Sequence, residues 1–296
     1  MEKKEIGVLG VSSDLGANIA GSRMGPDGVR VAGLHRKLQA LDYTLKDYGN
    51  LSVPLRSYGK DGVGNYLSEI TSLNATILES CLNMLMNNRI PLNIGGDHSM
   101  SIGTVAASSS FYPNLGLIWI DTHADMNNPE TSETKNIHGM PVSTLLHNGY
   151  ADLVRLVKRK LKPENIALIG LRDIDKHEAE LLKESGVHYY TMRDVDELGI
   201  QGVFRKVKDV MLDRLEAIHV SFDLDVMDPI HAPGVSTAVH GGFSTREAHL
   251  ILELIHETDK LVSCDFVELN PMNDHQGQTA RLAVDLICSL FGSKII

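Results

Sequence analysis

The sequence predicts an α/β fold with a mostly parallel sheet, on three observations. Short β-branched, apolar runs recur at 6–11, 44–48, 90–94, 116–120, 165–170, 187–191, 217–222 and 261–267. Several are continuously apolar, as strands covered on both faces must be; a strand with one wet face alternates instead. Between many of the runs lie stretches with helical spacing, and alternation of strand and helix is the mark of parallel βαβ construction. The stretch 65–87 repeats apolar residues at Leu67, Ile70, Leu73, Ile77, Leu78, Leu82 and Leu85. The stretches 176–184 and 246–257 read as amphipathic helices, with Thr245 and the nearby Glu247 as the start signal of the second.

No low-complexity linker or internal repeat divides the chain of 296 residues, so one domain spanning 1–296 is expected. The formal net charge of −10 argues against nucleic acid as a partner, because phosphate binding needs basic surface, and it leaves room for cationic ligands. Cys81, Cys264 and Cys288 are few, odd in number and far apart, which argues against a disulfide framework and for a reducing, cytoplasmic setting. The charged start at 1–5 runs straight into the first strand, without the apolar stretch of a secretory leader. No run of about 18 apolar residues suggests a membrane span.

Acidic and imidazole side chains follow three of the strands. Asn93-Ile94-Gly95-Gly96-Asp97-His98 is a strand entering a glycine turn; Asp121, His123 and Asp125 follow a second at alternate positions; Asp223 and Asp225 end a third. In extended chain, residues two apart point to the same side, so each group is expected to converge. The carboxyl edge of a parallel sheet is also where ligands bind. Four carboxylates in one place repel and are driven to protonate, and two divalent cations would neutralise them. Carboxylate and imidazole ligands suit Mn²⁺ or a related ion, and the lack of cysteine ligands argues against structural zinc. Two such ions about 3.5–4 Å apart share a water and lower its pKa. Each of these residues alone has an ordinary explanation, a turn cap for an aspartate or an exposed loop position for a histidine. Together, at three strand ends, they point to a dinuclear hydrolase.

Gly95-Gly96-Asp97-His98-Ser99, Asp121-Thr122-His123-Ala124-Asp125-Met126-Asn127 and Ser221-Phe222-Asp223-Leu224-Asp225-Val226-Met227-Asp228-Pro229 resemble the three metal signatures of the ureohydrolase family, which includes arginase, agmatinase and formimidoylglutamase. The resemblance runs from 21–30 to Val267-Glu268-Leu269-Asn270-Pro271. It implies a three-layer α/β/α domain with a mostly parallel eight-stranded sheet, two Mn²⁺ per subunit, a homo-oligomer (trimer or hexamer) and hydrolysis of a guanidino group by a metal-bridging hydroxide. It assigns His98, Asp121, Asp125 and Asp223 to one ion, and Asp121, His123, Asp223 and Asp225 to the other.

The loop 127–141 is the longest stretch without clear periodicity, and it looks most like that of the bacterial arginases, which implies L-arginine as substrate and L-ornithine and urea as products. By the same resemblance Asn127, Thr134 and Asn136 belong to the loop that holds the α-carboxylate end, Asp175 sits near the α-amino group, and Thr237 lines the cleft. Glu268 accepts the guanidinium, Asp125 passes a proton to the leaving amine and His138 is the proton shuttle, its ordinary pKa of ~6.5 suiting neutral pH. The chain departs from the arginase pattern at Thr134-Lys135-Asn136 (Ser-Gly-Asn is usual), Ser236-Thr237-Ala238 (Gly-Thr-Pro) and Val226-Met227-Asp228 (Gly-Leu-Asp or Ala-Leu-Asp). Lys135 thus stands where glycine may serve a positive φ or a close approach. The alternatives are a ureohydrolase acting on agmatine, guanidinobutyrate or formimidoylglutamate, a metal-binding member with little catalysis, and a single-zinc deacetylase of related fold.

Overall fold

A computed structural model describes residues 5–51, 53–56 and 66–294. The charged start at 1–4 and Asn65, the first residue of the predicted helix 65–87, lie outside it. Eight strands form one sheet: β1 (Glu5–Val11), β2 (Leu45–Leu51), β3 (Arg89–Ile94), β4 (Leu115–Ile120), β5 (Ile166–Leu171), β6 (His188–Thr191), β7 (Ala217–Asp223) and β8 (Leu261–Val267). Their order is β2-β1-β3-β8-β7-β4-β5-β6, and every pairing is parallel. All eight coincide with the expected runs, β2 extending three residues further than its apolar signal.

Six helices of ten or more residues lie among the described residues: α1 (Leu67–Met86), α2 (Ser101–Phe111), α3 (Lys176–Ser185), α4 (Met192–Val210), α5 (Thr245–His256) and α6 (Gln278–Leu290). Strand residues divide by parity between two layers. Ile118, Ile120, Val220 and Phe222 pack with Phe204, Ile251 and Ile287 of α4, α5 and α6. Leu117 and Trp119 face the other way, onto Ile102, Val105 and Ala106 of α2. Each such side chain removed from water contributes roughly 1.5–3 kcal/mol. The start of α5 differs from the sequence expectation by one residue. Ser244, not Thr245, is the cap: its hydroxyl accepts from the Glu247 N–H, and the Glu247 carboxylate accepts from the Ser244 N–H at 2.8 Å. That reciprocal pair satisfies two donors that the first helical turn leaves open.

The strand order decides where the chemistry sits. The chain builds β1 to β3 on one side, crosses to β4, β5 and β6, then returns to insert β7 and β8 between β4 and β3. The four central strands β3, β8, β7 and β4 are therefore neighbours, and each leads at its carboxyl end into one of the acidic or imidazole motifs. Gly96, in the turn after β3, is required there: a β-carbon would lie 1.7 Å from the Ser13 carbonyl oxygen.

Candidate metal centre and substrate cleft

The ligand candidates converge, but turns rather than extended chain bring them together. β4 ends at Ile120, and Asp121 Oδ1 accepts from the His123 N–H at 2.7 Å. Asp125 takes a left-handed backbone with φ of 52°. Asp223 closes β7 and its Oδ1 accepts from the Asp225 N–H at 2.7 Å, opening the short 3-10 turn Leu224–Val226. Alternation alone therefore does not account for the convergence: a carboxylate that folds the chain back over itself re-aims the residues that follow.

His98 Nδ1 lies 3.1 Å from Asp121 Oδ2, 3.3 Å from Asp125 Oδ2 and 3.1 Å from Asp223 Oδ2. His123 Nδ1 lies 3.4 Å from Asp121 Oδ1 and 3.2 Å from Asp225 Oδ2. Two groups of ligand atoms result, His98 with Asp121 and Asp125, and Asp121 with His123 and Asp225. Asp121 is common to both, as a bridging residue must be. The imidazole of His98 is fixed from two sides: Nε2 hydrogen-bonds Ser221 Oγ at 2.8 Å, and the ring stacks on Trp119 with centroids 4.0 Å apart. Trp119 also donates its indole N–H to Asp121 Oδ2 at 3.0 Å. Such outer contacts set the orientation and tautomer of a ligand.

The electrostatics call for positive charge. Burial, then the charge of Asp121, pushes Asp125 well above the carboxylate range. Burial, Asp225 and Asp121 do the same to Asp223. Burial opposes charge on His98 and His123, yet the surrounding carboxylates push both well above the ordinary histidine value. Buried His98 Nδ1, Asp125 Oδ2 and Asp225 Oδ1 have no hydrogen-bond partner. Unpartnered buried polar atoms are costly, and two of these, His98 Nδ1 and Asp125 Oδ2, lie 3.3 Å apart. Divalent cations fit this donor set in charge and chemistry.

Around it opens a cleft of about 210 Å³ lined by His98, His123, Asp125, Asp223, Asp225, Asn127, His138, Asp175 and Thr237 of the expected residues, and also by Asp173, Glu178 and Gly139. Thr237 donates to Asp225 Oδ2 at 2.7 Å. Asp175 caps α3, and its Oδ2 accepts from the Asn127 amide at 2.6 Å. Those contacts draw Asp175 below the carboxylate range although burial works the other way. Glu178 is buried, and desolvation pushes it up to about 7 although it accepts from the Met126 N–H. Asp121 and Glu268 lie deeper, each at most 1 % exposed. Glu268 Oε1 accepts from the His98 N–H at 2.9 Å and meets His138 Nδ1 at 3.0 Å, while Oε2 is buried and unpartnered. Burial opposes charge on His138, but Glu268 pushes it up to about 9. The contact with Glu268 thus favours the protonated imidazole.

Thr134 and Asn136 are not among the cleft-lining residues; the Thr134 hydroxyl accepts from the Asn136 N–H at 3.3 Å. Between them Lys135 does hold a positive φ, 58°, and its Nζ donates to the Pro129 carbonyl at 2.8 Å. The side chain closes its own loop. Lys135→Gly is expected to relieve the left-handed strain, with a net stability change of at most about 1 kcal/mol and unchanged metal content. Chemical denaturation and metal analysis check it. The other departures are absorbed as well: Val226 is fully buried, and Ser236 Oγ accepts from the Asn270 amide at 3.0 Å.

Several functional positions had no signal in the sequence. Arg172 donates to the carbonyls of Asp225, Val226, Met227 and Val239, bracing the Asp225 turn. Its place two residues after Gly170 at the end of β5 is the one available hint.

A parallel α/β sheet with four carboxylates and two imidazoles gathered at its carboxyl edge defines the class, a protein built to hold cations beneath a polar cleft. The arginase family model matches residues 4–292. The chain is 40 % identical to an arginase of Staphylococcus aureus over 301 residues, 100 % of this chain and 99 % of that one. It is 40 % identical to the arginase of Bacillus subtilis over 295 residues, 99 % of each. The crystal structure of the Bacillus subtilis arginase superposes with a TM-score of 0.93, covering 99 % of this chain and 100 % of that one at 40 % identity. Bacillus caldovelox arginase gives 0.96, with the same coverage, at 38 % identity. The chain belongs to the arginase family, and is a hydrolase of that family.

Proposed function

We propose that this protein hydrolyses L-arginine to L-ornithine and urea with two Mn²⁺ ions per subunit. The observation that carries the reading is the gathering of four aspartates and two histidines, among which buried His98 Nδ1, Asp125 Oδ2 and Asp225 Oδ1 have no hydrogen-bond partner. His98, Asp121, Asp125 and Asp223 would hold one ion, and Asp121, His123, Asp223 and Asp225 the other. When bound, the pair supplies hydroxide from water at neutral pH and neutralises the carboxylates.

The chain's own residues do the rest. Glu268, with a buried free oxygen, receives the guanidinium and sets its carbon over the centre. Asp125 takes the proton released on attack and delivers it to the leaving amine. His138, protonated through its contact with Glu268, moves a proton between that amine and solvent. At the rim, Asp175 stays ionised and attracts the α-ammonium, while Asn127, Thr134 and Asn136 serve the α-carboxylate and Thr237 steadies Asp225. The reading takes in one catalytic domain over 1–296 and a cytoplasmic homo-oligomer. Free buried thiols at Cys81, Cys264 and Cys288 support the compartment, and the trimer or hexamer rests on family resemblance alone.

Urea release from a panel of guanidino compounds, with purified Mn²⁺-loaded protein, tests this. L-Arginine is expected to exceed agmatine in kcat/KM by about 10²-fold or more, because agmatine leaves the carboxylate donors unpaired. Equal turnover of the two moves the substrate to the decarboxylated amine.

A further inference from the structure

The sheet face that meets α2 is not apolar throughout. His219 and Ser221 of β7 point to that side, since they pair in register with Leu117 and Trp119. Asp265 of β8 stands in register between Asn93 of β3 and Ser221 of β7. Both His219 and Asp265 are fully buried, with His219 Nε2 3.1 Å from Asp265 Oδ2. Asp265 Oδ1 accepts from the Asn93 amide at 2.8 Å, and Oδ2 from the Thr104 hydroxyl at 2.6 Å. Ser108 Oγ lies within hydrogen-bond reach of the Thr104 carbonyl at 3.2 Å and of His219 Nδ1 at 2.9 Å. Ser101, Thr104 and Ser108 are spaced three and four apart, so one stripe of α2 answers the polar row in the sheet. The stripe leads back to the metal centre: Ser101 Oγ lies 3.3 Å from Ser221 Oγ, which holds His98 Nε2.

A fully buried histidine–carboxylate contact is a poor way to stabilise a fold, because two apolar side chains of similar volume often do as well or better. It is a good way to fix one relative placement of the elements that carry it. Here those elements are β7, which ends in Asp223; β8, which leads to Glu268; and α2, which follows directly on His98. Burial works against the charge of Asp265, but His219, Thr104 and Asn93 hold its carboxyl below the usual range.

Resting on the metal reading above, we propose that the His219–Asp265 pair is a positioning device. It locks α2 against β7 and β8 so that Ser221 presents the His98 imidazole to its cation, and it sets the affinity of that site rather than the stability of the fold. The pair touches neither cation nor substrate.

Two variants test it, Asp265→Asn and the double replacement His219→Leu with Asp265→Leu, each measured for metal-free thermal midpoint, Mn²⁺ stoichiometry and affinity by equilibrium dialysis, and kcat and KM for L-arginine. The double variant is expected to fold with a midpoint near or above that of the natural chain. In both variants one of two Mn²⁺ sites should weaken by about 10–100-fold, with kcat reduced and KM within about twofold because the rim is untouched. Natural Mn²⁺ affinity in either folded variant overturns the proposal. So does loss of cooperative folding in both, because the pair would then be a determinant of the fold. A natural chain that binds two Mn²⁺ but releases no urea defeats the arginine reading alone, and the affinity comparison still decides this one.

Discussion

Asp225→Ala is expected to abolish one of two bound Mn²⁺ and to lower urea release by about 10²–10³-fold or more. Asp225 shares one ligand group with Asp121 and His123, and it does three jobs in a few ångströms. Its Oδ2 faces His123 and accepts from Thr237, its N–H holds Asp223, and its carbonyl is held by Thr122 and Arg172. Alanine keeps the backbone contacts, so the turn survives and the loss falls on the carboxylate. Removing a buried negative charge from a crowded acidic set should also raise the thermal midpoint of the metal-free protein. Metal analysis, urea assay and metal-free unfolding read the three effects separately. Two ions and undiminished turnover in the variant would remove Asp225 from the ligand set.

Glu268→Gln is the second large effect, a fall of about 10²–10⁴-fold in kcat/KM, since the buried counter-charge for a guanidinium and the partner of His138 go together. It also carries a signature in pH. Glu268, with Asp97 and Asp125, pushes His138 up to about 9, which favours the charged imidazole across neutrality. In the variant His138 returns toward ~6.5, and the residual rate should begin to fall with rising pH about two units earlier. The stability effect has a definite sign. A histidine raised in the folded state contributes fully below ~6.5, and that contribution is lost as pH rises through about 9. The stability difference between natural chain and variant should therefore shrink between those values. A residual pH profile identical to that of the natural enzyme would separate His138 from the proton-transfer step.

The fold and the gathering of the candidate ligands were legible for one physical reason: a parallel sheet covered on both faces needs unbroken apolar strands, so an acid or imidazole at a strand's end stands out. Where the chain turns, that reading loses its grip. Asp125 reaches its place through a left-handed backbone, and Ser244 caps a helix that the apolar pattern places one residue later. Helix α2 was not legible at all. It is buried nearly all round, with Ser101, Thr104 and Ser108 set among its apolar residues, so it lacks the one-sided apolar stripe that marks an amphipathic helix. Helix α4 is interrupted at Gly199. Thr134 and Asn136 came from likeness in a loop, and a loop constrains individual side chains less than a strand does.

Trp119 is the chain's one tryptophan. It lies wholly out of solvent, face to face with His98, with its N–H on Asp121. The protein therefore carries its single tryptophan, which can be excited selectively over its tyrosines, within a few ångströms of the centre. Paramagnetic Mn²⁺ should quench its emission as the site fills, so a titration followed by light alone would count the ions without label, substrate or coupled assay.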